Sequence, residues 1–443
     1  MSKQLSNKLF VTKAIPLILA NLLLPLIGLL NLQMIRSTAD SNAIAAIGIG
    51  SMVLNLLYLV CNFPRLSTTG LTAHAHGIGD DRGMMYTLAR ALLIALITGV
   101  LLIALRPLLI SVVNFLLNPA ESVEQAYGTY VAIRILAAPA VMLNFVFMGW
   151  FIGRQKMTKL LLMTIFLLLV LCVLSALFVL VFRWGLVGTA VADVIAQYAL
   201  VGFNLYLVMK KKFVKYIPEL GKAFRKAVMW RTLGINLNIM LRTFVLAFTI
   251  CFFTRQSQAL GATILAANGL LLRFETVLGF IFDAFANVVA ALAGEAFTNH
   301  KGQQFFYVVR KGVEWYMAVS LGFCLLMTFG GGPILRYAAS SAVIAQMAKI
   351  ILPMMACLPF VAAWPSLLDG VYIGTTLGKE MRNTALIAVM GFFLPAWYLT
   401  RTYGNLGLWF AMLMFYCSRG IIMAVRLRGL LEEGRLGFKS SDF

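Results

Sequence analysis

Four carboxylates stand inside runs that are otherwise apolar: Asp193, Glu275, Asp283 and Asp369. The chain has only 16 acidic residues in 443, so each of these positions needs a reason. A carboxylate held away from water must find a cation or take up a proton. Two chemistries follow. One is reversible binding of a proton or cation; the other is a closed ion pair that only holds helices together. Asp193 lies in VADVIAQY, with Arg134 and the Tyr130 hydroxyl as local donors that would give the second outcome. Asp283 and Asn287 are four apart and share one helical face. Asp369 sits in LLDG, and Arg242 is its natural counter-ion. Glu275 has Arg273 two residues away for a local pair, or it lines a cavity. No HExxH, GxSxG, Walker loop or Cys/His pair is present, which excludes the common enzyme chemistries. The six cysteines have neither metal nor redox spacing and read as small buried hydrophobes. No metal site is expected.

The elements that must position these residues are membrane helices. Hydrophobic residues make up 61% of the chain and charged ones 12%, against roughly 25% charged in soluble domains. Mean hydropathy is +0.90. At roughly 20 apolar residues per crossing, about twelve spans fit. They lie near 12–36, 44–70, 85–106, 125–153, 159–182, 186–209, 230–256, 262–296, 304–330, 344–376, 382–400 and 404–426. Segments 106–118 and 333–342 read as loops or interfacial pieces. The fold class is an all-α polytopic membrane protein.

The formal charge of +21 is distributed, not clustered into a nucleic-acid motif. Alternate loops carry most of it, including Lys210–Lys212, Arg225, Lys226 and Arg426, so that set and both termini are cytoplasmic by the positive-inside rule. Nucleic acid is therefore not an expected partner. Residues 210–230 are the longest inter-span segment and divide the spans six and six. Phe213, Tyr216, Ile217, Leu220 and Phe224 in that segment suggest a basic amphipathic helix on the inner leaflet.

The two halves look alike. GWFIG at 149–153 returns as GVYIG at 370–374, and at the same offset AHAHG at 73–77 meets GEAFT at 294–298. A shared offset suggests duplicated halves, a transporter layout. The expected division is an amino-terminal lobe 1–209, a basic linker 210–229, a carboxy-terminal lobe 230–426 and a cytoplasmic tail 427–443.

Four motifs resemble one family in order along nearly the whole chain. FPRLSTTGLTAHAHG (63–77), GTAVADVIAQY (188–198), INLNIMLR (235–242) and LLDGVYIGTTLGKEMRN (367–383) are similar to segments of the DinF branch of the MATE (multidrug and toxic compound extrusion) transporters. The resemblance implies a bacterial inner membrane, two pseudo-symmetric six-helix lobes in the MATE/MOP-type V, and export coupled to proton or sodium entry. It also implies that Pro16 is the hinge of the first span, rather than Pro25, and that Asp369 faces a central cavity.

The departures bear on mechanism. DinF-like proteins usually carry an Asp near the outer end of span one; here GLLNL puts Asn31 there. Their span-five Asp falls on Ser175, and the acid often found in span seven on Asn238. Amides and hydroxyls do not titrate, so the usual proton site cannot operate through these residues. Asn31, Tyr130, Ser175 and Asp193 would share one polar layer roughly 10 Å below the outer surface. The expectation is that Asp193 carries the proton, with Asp369, Asp283, Asn238 and Arg242 forming a second centre. Arg65, Gln33, Glu275 and Asn287 are expected to line the substrate cavity, with Arg65, Thr68 and Thr69 capping polar gaps near the end of span two. His74 and His76, at the cytoplasmic end, titrate near neutrality but are expected to be solvated.

The expected activity is secondary active efflux of amphipathic or cationic small molecules by alternating access. Protons are the expected coupling ion, sodium the second choice, with no cofactor. The protein is expected to act as a monomer in the lipid bilayer on a small-molecule substrate. Two alternatives within the superfamily are export of an anionic or neutral metabolite and flipping of a lipid-linked precursor. A different class is a non-transporting relative acting as sensor or scaffold.

Overall fold

A computed structural model describes the backbone of residues 7–36, 41–117, 121–209, 216–434 and 436–437; side chains of 24–43 and a few others lie outside the description. Among the described residues there is no strand. Eleven helical stretches there are long and apolar enough to cross a membrane. Helix α1 (Asn7–Arg36), whose second half is described only as backbone, is the twelfth.

The remaining helices of the first half are α2 (Ser41–Val60), α3 (Phe63–Gly77), α4 (Asp81–Ala104), α5 (Arg106–Leu117), α6 (Glu121–Arg134), α7 (Ala138–Gly153), α8 (Met157–Ser175) and α9 (Gly185–Val208). The second half has α10 (Lys226–Ala259), α11 (Ala262–Thr298), α12 (Gly302–Leu325), α13 (Gly331–Ala338), α14 (Ala342–Gly374), α15 (Gly378–Ala388), α16 (Leu394–Thr400) and α17 (Asn405–Glu432). Of the segments expected as loops or interfacial pieces, 106–118 is mostly the short helix α5, and 333–342 is the end of α13 followed by a bend at 339–341. Pro107 and Pro333 sit in the first turns of these helices, where a missing N–H costs nothing.

The duplication is visible in the backbone. Helix starts at Asp81, Glu121 and Met157 recur at Gly302, Ala342 and Gly378, each 221 positions on. The tightest helix contacts recur at the same offset. A Cβ on Gly153 would lie 2.6 Å from the Thr69 carbonyl oxygen, and one on Gly374 2.6 Å from that of Ala290. Gly149 is pressed in the same way against the Arg65 carbonyl, and Gly370 against that of Ala286. GWFIG and GVYIG are therefore the glycine ridges that let α7 approach α3, and α14 approach α11, to backbone contact.

Two compact units result: Pro16–Gly234, and Met1–Ile15 together with Ile235–Phe443. The start of α1 thus packs with the second unit, where Phe10 stacks on Phe285 at 5.8 Å. The sequence division assigned these residues to the first lobe. One boundary falls inside α1, between Ile15 and Pro16.

The linker, expected to hold a basic amphipathic helix, is helical over part of its length. Its first residues lie outside the described chain, and Ile217–Phe224 is a 3₁₀ helix with a proline in its first turn. It docks on α4: Arg82 donates to Glu219 at 3.5 Å, Tyr86 Oη to Glu219 at 3.3 Å, and Arg90 to the Ala223 carbonyl at 3.4 Å.

Candidate functional site

Among the described residues, each unit holds a buried Asp bonded to arginine. In the first, Arg134 is the last residue of α6 and Asp193 lies in the third turn of α9. Arg134 Nε donates to Asp193 Oδ2 at 3.0 Å, with side-chain exposures of 11% and 4%. Arg134 Nη1 donates to Tyr130 Oη at 2.6 Å and Ser51 Oγ at 3.1 Å, and those two hydroxyls are 3.1 Å apart. Residues 130 and 134 are one helical turn apart, so one face of α6 supplies both groups. The buried Tyr58 hydroxyl stands near this pair and has no hydrogen-bond partner among the described residues.

The expected polar layer is thus partly assembled. Tyr130 and Asp193 are joined, through Arg134. Ser175 is buried where α8 gives way to a π-helical turn, Ala176–Val181. The side chains of Asn31 and Gln33 lie outside the described residues. Below the charge pair, Asn144 on α7 donates to Gln197 Oε1 at 3.1 Å and accepts from Asn204 at 3.0 Å, a separate amide network.

In the second unit Asp369, on α14, receives two arginines. Arg242 from α10 donates through Nη2 to Oδ2, and Arg419 from α17 donates through Nη2 to Oδ1 at 2.6 Å and to Oδ2 at 2.7 Å. All three residues are buried. The Nε of each arginine is buried without a hydrogen-bond partner among the described residues. Asp283 lies within electrostatic reach of Arg242, and Asn287 donates to Asp283 Oδ2 at 3.0 Å. Tyr316 closes the cluster by donating to the Phe282 carbonyl at 2.7 Å.

Three further candidates have these surroundings. Glu275 accepts from the Tyr416 hydroxyl, while Arg273 beside it is exposed, so the expected local pair is not formed. Asn238 accepts from Arg382 Nη1 at 2.8 Å and belongs to a different contact from the Asp369 cluster. Arg65 is half-buried on α3, and its carbonyl accepts from Thr69 Oγ1 at 2.9 Å. Sequence reasoning missed Arg419, Tyr58 and Ser51. Arg419 had a usable signal, since it is a lone cation deep in an apolar run; Tyr58 and Ser51 had none.

The charged centres are not duplicated, although the backbone is. At the repeat offset Asp193 corresponds to Met414 and Asp369 to Met148. Each unit therefore carries its own ionic arrangement on a shared frame.

This fold is that of the MATE/MOP transporters. It superimposes on a MATE transporter of Vibrio cholerae, VcmN in its bent form, with a TM-score of 0.86 over 98% of both chains at 18% identity. It matches a MOP superfamily transporter from Pyrococcus furiosus with a TM-score of 0.85 over 98% of this chain and 97% of that one, at 16% identity. The MatE family model matches residues 16–198. The chain is 31% identical to DNA damage-inducible protein F of Escherichia coli over 97% of its own length and 94% of that protein's. It belongs to the MATE family, in its DinF branch, and is a multi-pass membrane transporter rather than an enzyme.

Proposed function

We propose that this transporter is a proton-coupled exporter of small organic molecules, working by alternating access, with Asp193 as the coupling carboxylate. The observation that carries the reading is the Arg134–Asp193 pair, an ionised contact buried in an apolar unit whose other expected acids are amide or hydroxyl. To take a proton Asp193 must give up Arg134, and the freed guanidinium must find new oxygens. Protonation is thereby tied to movement of α6 against α9, as coupling requires. Sodium fits less well, because a cation at Asp193 would sit against a guanidinium. Pro16, in the helix that both compact units share, is the proposed hinge.

The substrate is proposed to be an amphipathic organic cation. A second reading, an organic anion, is favoured by one feature: among the described residues Asp369 is the carboxylate bonded to both Arg242 and Arg419, and the Nε of each arginine has no partner. Purified protein in liposomes decides among these. An imposed pH gradient should drive a fluorescent organic cation, a sodium gradient should not, and Asp193→Asn should abolish the pH dependence. Full pH-driven transport by that variant would overturn the coupling assignment. Movement of an anionic dye alone would replace the cation reading, and no transport of any solute would favour the sensor or scaffold class.

A further inference from the structure

A second basic site lies outside both charged centres. A cavity of about 750 Å³ opens between α13 and the first turns of α14, lined among others by Arg336, Ser341, Gln346, Lys349 and Ile350. Arg336 and Lys349 are exposed, and neither forms an ion pair with a described residue. Elsewhere in the second unit's spans Arg242, Arg419, Arg382 and Arg426 have oxygen partners, whereas Arg255 and Arg273 are exposed like Arg336 and Lys349 but do not line this cavity.

Depth makes the pair informative. Ala342 begins a membrane-length helix, and Lys349 lies seven residues into it, roughly 10 Å along the axis. A cation at that level is costly unless it snorkels or meets an anion. Tyr337, 95% exposed and adjacent to Arg336, has the amphipathic ring found at the membrane–water boundary. Ala342–Gly374, at 33 residues, is roughly 50 Å long against a hydrocarbon core of about 30 Å, so its first turns suit the headgroup level, and the cavity there has two cations and Ala342, Ala345 and Ile350 as apolar wall. A phosphate ester supplies what these groups lack: negative charge, several acceptor oxygens and an attached hydrocarbon chain to cover the apolar wall.

We propose that this cavity binds the phosphate headgroup of an anionic phospholipid from the leaflet at that end, with Arg336 and Lys349 clamping the phosphate. A soluble phosphate offers the same oxygens but leaves the apolar wall uncovered. The bound lipid would brace α13 against α14 at the turn that joins them.

The test uses full-length protein in nanodiscs of defined composition, read by native mass spectrometry after detergent release. Wild type should retain phosphatidylglycerol over phosphatidylcholine, and the double variant Arg336→Gln/Lys349→Gln should lose that retention by about tenfold, the factor that roughly 1.4 kcal/mol represents. Arg255→Gln, an exposed cation at the end of α10, should leave it unchanged. Thermal unfolding in detergent checks that the double variant is folded. The charge-preserving Arg336→Lys should keep most of the binding. Equal retention of both lipids, or retention unaffected by the double substitution, would overturn the proposal. Displacement of the lipid by millimolar inorganic phosphate would reassign the site to a soluble anion.

Discussion

Arg134 and Asp193, fifty-nine positions apart in the chain, meet at 3.0 Å inside the first unit. The contact joins the end of α6 to the third turn of α9, and Tyr130 and Ser51 accept from the guanidinium's Nη1. A buried charge pair is worth little as a stabiliser in itself, because both ions lose water. Removing one partner is expensive, since the other is left charged and alone.

Asp193→Asn should therefore destabilise the protein by about 3–5 kcal/mol, seen as a lower melting temperature in detergent. Replacing both residues, as Arg134→Met with Asp193→Leu, should recover most of that stability while pH-driven transport stays lost. Recovery of transport in the double variant would show that the pair serves structure only.

Asp369 has two arginines, so the three residues are not equivalent. Asp369→Asn removes the carboxylate bonded to two buried guanidiniums and should cost about 3–5 kcal/mol. Arg419→Met leaves Asp369 paired with Arg242 and should cost clearly less. Equal melting temperatures for the two variants would contradict the shared-carboxylate arrangement.

The glycine ridges should be intolerant of a single methyl. Gly370→Ala and Gly149→Ala each force a Cβ onto a backbone carbonyl and should cost about 1–3 kcal/mol or fail to assemble. Gly202→Ala and Gly269→Ala meet nothing within 4 Å and should be neutral or slightly stabilising. Thermal melts of the four variants check this ranking.

The linker's dock on α4 is exposed and should be weak. Glu219→Gln loses the charge that Arg82 and Lys222 face, at 3.5 Å and 3.6 Å, and should change stability by less than about 1 kcal/mol. Limited proteolysis should nevertheless cleave the 210–225 segment faster in the variant, because the latch opens more often.

Much of the fold was legible because span length and composition are local properties. About twenty apolar residues cross a bilayer whatever surrounds them. The segments open between loop and interfacial piece are those around Pro107 and from Pro333, and short helices occupy most of the first and the start of the second. Proline and glycine break a helix interior but are harmless in its first turn, and composition alone does not say which applies. In the linker the apolar spacing announced a helix but not its type; Ile217–Phe224, with Pro218 in its first turn and docked on α4, is a 3₁₀ helix.

By itself the sequence determined the class: a polytopic helical membrane protein, duplicated at an offset of 221, in the DinF branch of the MATE family, with few acids left to titrate. It also singled out Asp193, Asp369 and Arg242 as residues that need partners. Only the tertiary structure decided which partners those are. Asp193 takes Arg134, Glu275 takes Tyr416 in place of Arg273, and Asp369 takes Arg419 as well as Arg242. The physical reason is that the need for a counter-charge comes from burial, which an apolar run already announces. The choice of partner depends on the rotation and depth of each helix, and packing fixes those between residues 50 to 141 positions apart.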